Sequence, residues 1–372
     1  MKDIRIIVIS DVHLGNRRNK TEYILDSLYT FFKELSKPET IDAIFISGDL
    51  FDTLLDFNNP DAVEIVLWMN WLMEYSAMYA IILRILEGTP RHDWKQSKWF
   101  ATAGVLSRCP VDFKYVNTLS IETLPINNLK VLYIPDEWSD ETKTTYEQAL
   151  QLLKDNNLSQ VDLIVMHGQF EFQIPKHLVK VPVHKSEWYI PLAKYFTIVG
   201  HVHIHSSLEN IIVPGSFDRI SHNEEEPKGG LELNITDSGK SFNFLENKLA
   251  RTFKTIPINT LDIEKTYKTI EKVLTKVKPN SFIRLRVSKN HPILSNFKNL
   301  SIKYPSINWS HVLDKEETDT QSLYLDNNFT KYNSISINKE NILDLVESTI
   351  NEQNISNKDV LLNTLKEVIE SI

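Results

Sequence analysis

One cysteine in 372 residues, Cys109, leaves the chain unable to close an internal disulfide. Neither an oxidising compartment nor a thiolate metal cluster is therefore indicated. Beside Pro110 this side chain reads as a small residue filling a gap, with a catalytic role as the other reading. Long apolar runs are missing too: no stretch approaches the roughly 20 residues that cross a bilayer. The first apolar run, Ile4 to Ile9, follows a single lysine and Asp3 and is shorter than the apolar part of a signal peptide. A cytoplasmic location without membrane association is expected. Positive charge is in deficit, with 41 Lys and Arg against 49 Asp and Glu and a formal net charge of −8. Nucleic acid gains no global attraction from such a chain, so a DNA substrate would be met by local patches and bound cations. Internal repeats and low-complexity tracts are absent.

What is present describes a folded chain, 42% apolar and 24% charged, of a length that suggests two domains. Residues 4 to 9 form a β-branched run ending at Ser10-Asp11, and residues 22 to 35 then show helical spacing in Ile24, Leu28, Phe31, Phe32 and Leu35. Ile41 to Ile46 ends at Ser47-Gly48-Asp49, Asp61 to Tyr75 reads as a helix, and Tyr79 to Leu86 as a buried strand ending at Glu87-Gly88. The pattern recurs with a helix over 141–154, a strand from Leu163 to Met166 before His167-Gly168, and a strand from Phe196 to Val199 before Gly200-His201. Leu231 to Ile235 and Phe242 to Leu245 complete this part. Strands alternating with helices predict an α/β layered domain whose loops leave from strand ends. The pattern changes near Asn247 to Thr255, where a smaller α+β unit begins, with a helix over 262–276 and a strand from Phe282 to Val287. Residues 314–340 read as a polar connection, and 341–372 resume helical spacing in two pieces.

The chemistry sits at the strand ends. Asp11 and His13 are two apart just past a strand, so in extended backbone both leave on one side. Asp49 and Asp52 follow the second strand, His92 and Asp93 the third, His167 the next, and His201 and His203 the last. Open α/β sheets place their binding crevices at such an edge. Mixed imidazole and carboxylate donors suit manganese, iron or zinc, whereas magnesium alone favours oxygen. Six or more donors exceed the need of one ion. With Asp49 as a bridge, two cations about 3.5–4 Å apart would clamp a phosphate and lower the pKa of a shared water. Each element alone is weak: Asp-x-His is common, Gly-Asp marks turns, and a lone His167 would be a satisfied buried histidine. Five in order, each behind an apolar run, point to a metal site.

These segments resemble the calcineurin-like metallophosphoesterases, and among them the SbcD-type nucleases of DNA double-strand-break repair, members of which also occur in bacteriophages. Ser10-Asp11-Val12-His13-Leu14-Gly15, Gly48-Asp49-Leu50-Phe51-Asp52, His167-Gly168 and Gly200-His201-Val202-His203 are similar to that family's first, second, fourth and fifth motifs. Pro214-Gly215-Ser216, followed by Arg219, Glu225 and Lys228-Gly229, is similar to a stretch these nucleases carry and generic phosphatases usually lack. The likeness covers residues 1 to about 250; beyond that it rests on domain order and a loose Arg251-x-Phe253 match.

The resemblance implies a four-layer αββα sandwich over 1–248, a smaller α+β capping domain over 249–335 and C-terminal helices over 336–372. It also implies that Asp11, His13, Asp49 and His203 hold a first metal, with Asp49 bridging to a second held by His167 and His201. Manganese is the expected ion, with magnesium the alternative. The third motif departs from the pattern: where Gly-Asn-His-Asp is expected, the chain reads Gly88-Thr89-Pro90-Arg91-His92-Asp93. The second metal's usual amide oxygen is missing, and Thr89, a water or nothing replaces it; Asp93 and Asp52 stand as supporting or substitute groups. His92 matches the family's catalytic histidine, which protonates the leaving oxygen or steadies transition-state charge. Arg91 reads either as a bidentate phosphate contact or as an exposed surface residue.

His205 continues the alternation of His201 and His203 without a place in the family pattern. His177 and His184, among Lys176, Lys180 and Lys185, read either as a DNA-facing loop or as ordinary surface. Trp68, Trp71, Trp94 and Trp99 are expected to pack rather than stack on bases, and His222, His291 and His311 are given no role. The resulting expectation is an exo- or endonuclease of DNA repair and recombination that works with an SbcC-like SMC-type ATPase. The resemblance implies a nuclease homodimer within a heterotetramer, with residues 336–372 docking on the ATPase. A small-substrate phosphodiesterase or phosphatase, and a weakly active scaffold for the ATPase, are the alternatives.

Overall fold

The computed structural model of the chain describes residues 2–56, 58–136, 141–174 and 182–314, the side chains of 106 and 107 apart. In chain order its first elements are β1 (Ile4–Ile9), α1 (Thr21–Lys33), β2 (Ala43–Ser47), α2 (Pro60–Met78), β3 (Ile82–Leu86), α3 (Pro90–Asp93), α4 (Trp99–Ser107) and β4 (Phe113–Val116). There follow β5 (Ser120–Leu124), β6 (Leu129–Ile134), α5 (Thr142–Asp155), β7 (Val161–His167), α6 (Ser186–Tyr189), β8 (Ala193–Gly200), β9 (Ser206–Leu208) and β10 (Ile211–Val213). Next come β11 (Gly229–Thr236), β12 (Gly239–Glu246), β13 (Phe253–Pro257), α7 (Ile263–Leu274), β14 (Phe282–Val287), α8 (Lys298–Lys303) and β15 (Asn308–Leu313).

Two six-stranded sheets run β12-β11-β1-β2-β3-β4 and β5-β6-β7-β8-β10-β9. Their central strands β1, β2 and β3, and likewise β6, β7 and β8, are parallel neighbours. Strands covered on both faces favour apolar residues at nearly every position, which is why β1 and β2 are dominated by Ile, Val and Phe, with Arg5 the one charged residue. Ile6, Val8 and Phe45 turn inward to meet Val131, Leu163, Val165 and Ile198 of the other sheet. Ile7, Ile9, Ile44 and Ile46 turn outward under α1, α2 and α4. The outer face of the second sheet, including Leu132, Ile164 and Val199, is covered by Ala149 and Leu153 of α5 and Tyr189 of α6. The fold is thus a four-layer αββα sandwich. Deleting the Phe45 ring from the fully buried inter-sheet layer would cost about 3–5 kcal/mol.

The parallel strands end on one side, which brings the segments after β1, β2, β3, β7 and β8 together. A smaller three-stranded sheet, β13-β14-β15, all parallel, has its own core of Ile256, Ile270, Ile283, Leu285 and Leu300. It is tied closely to the sandwich: the Arg219 guanidinium donates to the Arg251 carbonyl at 3.1 Å, Arg251 N–H donates to Asp218 at 3.0 Å, and the Arg251 side chain lies 3.9 Å over the Tyr23 ring. Residues up to Leu313 form one compact unit. The expected boundary at 335 and the helices of 336–372 lie outside the described residues.

Two expectations change. Tyr79 does not begin a strand; α2 runs to Met78, and Ala80 at φ 54° ends it, with Ile81 N–H bonded to Ser76 O at 2.8 Å and Ala80 N–H to Ala77 O at 3.2 Å. This left-handed helix stop consumes the residues that looked like strand. Of the four tryptophans, Trp68 is fully buried and Trp71 and Trp99 pack against the same core, whereas Trp94 is 50% exposed. Cys109 does pack partly against that core. Strands β4, β5 and β6 were not anticipated, and β6 bears on the site.

Candidate metal centre

The loops after β1 and β2 are knitted together before any side chain is considered. Asp11 N–H donates to Gly48 O at 3.1 Å, Val12 N–H to Asp49 O at 2.9 Å, and Asp52 N–H to Leu14 O at 2.9 Å. Asp11, His13, Asp49 and His201 all adopt positive φ, at 50°, 56°, 49° and 104°. Non-glycine residues held there cost roughly 1–3 kcal/mol each and are kept where surrounding structure fixes them for a purpose. Gly48 at φ 91° must be glycine: a Cβ there would lie 2.2 Å from His167 Nδ1.

The side chains converge in three overlapping groups whose donor atoms lie within 4.8 Å of one another: Asp11, His13 and His203; His13, Asp49 and His92; and Asp49, His167 and His201. His203 Nε2 is 3.7 Å from Asp11 Oδ1 and His13 Nε2 is 4.0 Å from Asp49 Oδ2. His167 Nε2 is 3.3 Å from Asp49 Oδ1. Asp49 is thus common to two of the groups.

The far side of each ring is held. His167 Nδ1 faces the Ser47 carbonyl at 2.8 Å, His203 Nδ1 faces Glu224 Oε1 at 3.1 Å, and His13 Nδ1 lies 3.2 Å from Asp52 Oδ1. The Ser47 carbonyl and the Glu224 carboxylate only accept, so Nδ1 of His167 and of His203 donates to them and each Nε2 is turned into the cluster. His13 Nε2 and His203 Nε2 stand 3.0 Å apart, close enough to hydrogen-bond to each other or to share one cation. Carboxylates supply the matching field. Burial opposes charge on Asp49, yet His167, His92 and His13 hold it well below the usual carboxylate range. Burial opposes charge on His167 and His203 as well, but Asp49 raises the first well above the usual imidazole range and Glu224 and Asp11 raise the second. A divalent cation satisfies the same field, and this donor set fits one.

The third-motif loop closes over Asp49. Asp93, fully buried, accepts from the N–H groups of Asp49 at 3.1 Å, Phe51 at 2.9 Å and Gly88 at 2.6 Å. It clamps the loop after β2 to the loop after β3 and belongs to none of the three groups. Thr89 donates its N–H to Asp49 Oδ1 at 2.5 Å, and its hydroxyl lies 3.2 Å from Asp49 Oδ2. His92 Nδ1 is 2.9 Å from Asp49 Oδ2; burial works against its charged form, but Asp49 and Asp52 raise it. Arg91 is exposed on α3.

Sequence reasoning missed two groups. Glu224 is buried beneath His203 with Lys228, itself 1% exposed, whose ammonium lies 3.3 Å from Glu224 and donates to the His203 carbonyl at 2.8 Å. Burial opposes its charge, but His203 and Lys228 bring Glu224 down to about 2. Its neighbour Glu225 instead pairs with Lys254 of the small sheet. Asp136, just past β6, reaches the Thr89 hydroxyl at 3.0 Å. His205 bonds the Val213 carbonyl at 2.7 Å, away from the cluster. His184 is buried, bonded to the Tyr189 hydroxyl at 2.9 Å and depressed to about 4 by burial, a packed histidine and not a surface one; Lys176, His177 and Lys180 lie outside the described residues. No helix among the described residues is long and apolar enough to cross a membrane.

Residues 4–205 match the model of the calcineurin-like phosphoesterases. The chain is 25% identical over 356 residues, 85% of its length and 90% of the relative's, to a Staphylococcus epidermidis protein named as the D component of nuclease SbcCD. It is 24% identical over 285 residues, 70% of its length and 73% of the relative's, to the protein of that name from Staphylococcus saprophyticus. Among solved structures, the TT1561 protein of Thermus thermophilus is similar at a TM-score of 0.40 and 13% identity, covering 65% of this chain and 98% of that one. The chain belongs to the calcineurin-like phosphoesterase family, and so to the metal-dependent hydrolases.

Proposed function

We propose that this protein is a two-cation DNA nuclease that works as a complex with an SbcC-like ATPase in DNA repair or recombination. The observation that carries the two-cation part is the Asp49 carboxylate shared between the group with His13 and the group with His167 and His201, beside the His13 and His203 Nε2 atoms 3.0 Å apart. Asp11, His13, Asp49 and His203 would hold one ion, and Asp49, His167 and His201 the other. Two bound cations, manganese best suited to the mixed donors and magnesium next, supply charge stabilisation for a phosphate and a water of lowered pKa. Water attacks the backbone phosphorus, and the 3′ oxygen leaves with a proton from His92.

Two relatives named as the D component of nuclease SbcCD, similar along most of this chain, support DNA as the substrate and an SbcC-type ATPase as partner. The small sheet β13-β14-β15 is proposed to cap the site and shape DNA access. Residues 336–372 are proposed as the ATPase-docking tail, with a nuclease homodimer in a heterotetramer. The test is cleavage of linear duplex and single-stranded DNA, with manganese or magnesium, beside a small chromogenic phosphodiester. Manganese-dependent DNA cleavage is expected. Cleavage of the small ester alone would replace the nuclease with a small-substrate phosphodiesterase. Cleavage of neither, with ATPase binding retained, would leave a scaffold.

A further inference from the structure

The third-motif departure removes a neutral amide donor from the second group, and the fold brings an anion to the same place. β6 and β7 are parallel, with Ile134 level with Met166, so Asp136, two residues beyond Ile134, emerges beside His167-Gly168. Pro135 fixes the chain direction between them. Asp136 Oδ2 lies 3.0 Å from Thr89 Oγ1 and 3.9 Å from His201 Nδ1, with the side chain 15% exposed.

Thr89 Oγ1 is the centre of this arrangement. Asp49 Oδ2 is 3.2 Å from it, Asp136 Oδ2 3.0 Å, His167 Nε2 3.5 Å and His201 Nδ1 3.5 Å. Donor atoms about 2.1 Å from a shared cation stand about 3.0–3.4 Å from their nearest neighbours. One hydroxyl thus stands at or near that spacing from two carboxylates and two imidazoles, with Asp136 at the edge of the tighter group of Asp49, His167 and His201. A hydroxyl has one proton and can donate to only one of the two carboxylates, so hydrogen bonding through Thr89 does not account for both.

Resting on the two-cation reading, we propose that Asp136 is a ligand of the second cation, with the Thr89 hydroxyl beside it, in place of the missing amide. The second group then holds two carboxylates, Asp49 and Asp136, whose charge matches a divalent ion. It is richer in anionic oxygen than a site completed by an amide, and favours hard, oxygen-preferring ions.

The test is manganese binding by the full-length protein, followed as loss of the free-ion electron paramagnetic resonance signal. Wild type is expected to bind two ions. Asp136→Ala should bind the first normally and the second at least 10-fold more weakly. Asp136→Asn, nearly isosteric, should show a smaller loss of the same kind and carries the test if the alanine variant melts early. Thr89→Val separates a ligand from a mere hydrogen-bond partner: a ligand carboxylate still matters in the Thr89→Val background, whereas a residue acting only through Thr89 does not. Two ions bound with wild-type affinities by both Asp136 variants would overturn the proposal. His167→Ala is the control. If wild type binds only one ion, the two-cation reading itself fails; if His167→Ala binds two ions normally, the assignment of the second site to these residues fails; and if His167→Ala loses the second ion while Asp136→Ala does not, only the role of Asp136 fails.

Discussion

His92 Nδ1 stands 2.9 Å from Asp49 Oδ2, and the ring is 39% exposed. The carboxylate orients the imidazole from within, which leaves Nε2 on the open side for a leaving oxygen. His92→Ala is therefore predicted to slow DNA cleavage by roughly 10²–10⁴-fold, the usual range for a positioned acid, while manganese binding stays within a few fold of wild type. Single-turnover cleavage and metal titration on the same preparation check this. Loss of a bound ion in the variant would instead make His92 a donor, a role its grouping with His13 and Asp49 permits.

Glu224 accepts from or faces His203 Nδ1, Ser216, Ser221 and the Ile220 N–H. Glu224→Gln keeps the shape but removes the charge that holds the His203 proton on Nδ1. Outer partners of this kind are worth roughly 10–100-fold in metal affinity, and a weakening of that size is predicted for the ion held with Asp11 and His13. Calorimetric titration with manganese measures it; unchanged affinity would show that Glu224 serves only to neutralise Lys228.

How much of this was legible in the residues differs by group. The strands β1, β2, β3, β7 and β8 announce themselves because both faces are covered and most positions are apolar, so the Asp and His residues behind them stood out. β6 is a mixed run, Leu129-Lys130-Val131, preceded by the turn residues Asn127-Asn128, and with the strand unread Asp136 had no reason to be noticed. Glu224 lies in the run Glu224-Glu225-Glu226, and only the fold decides which carboxylate turns under His203 and which pairs with Lys254. Ala80 shows the same limit at the backbone level: a left-handed helix stop written without glycine looks like the start of the next apolar strand.

Asp218 gives a prediction about stability rather than chemistry. Burial pushes its carboxyl up to about 6, against the N–H bonds from Arg219 and Arg251 that pull it down. A carboxyl raised in the folded state favours folding below its unfolded pKa of about 3.9, and that contribution is lost as pH rises toward 6. Asp218→Asn keeps an oxygen for both N–H groups, at 2.7 and 3.0 Å, and carries no charge. It should raise stability at pH 7.5 by up to roughly 3 kcal/mol and change it little at pH 4. Thermal melting at the two pH values checks the sign, and a variant less stable at pH 7.5 would show that the charge is needed by Arg219 and Arg251.

The central claim is that Asp49 joins two cations in one phosphodiester-cleaving site. The most direct measurement is manganese-dependent cleavage of linear DNA by Asp49→Ala, made beside its metal content. The account predicts cleavage abolished and binding of both ions impaired, since one substitution removes a carboxylate shared by both groups and leaves His13, His92 and His167 facing unpaired charge. Cleavage within a few fold of wild type, with both ions retained, would contradict it.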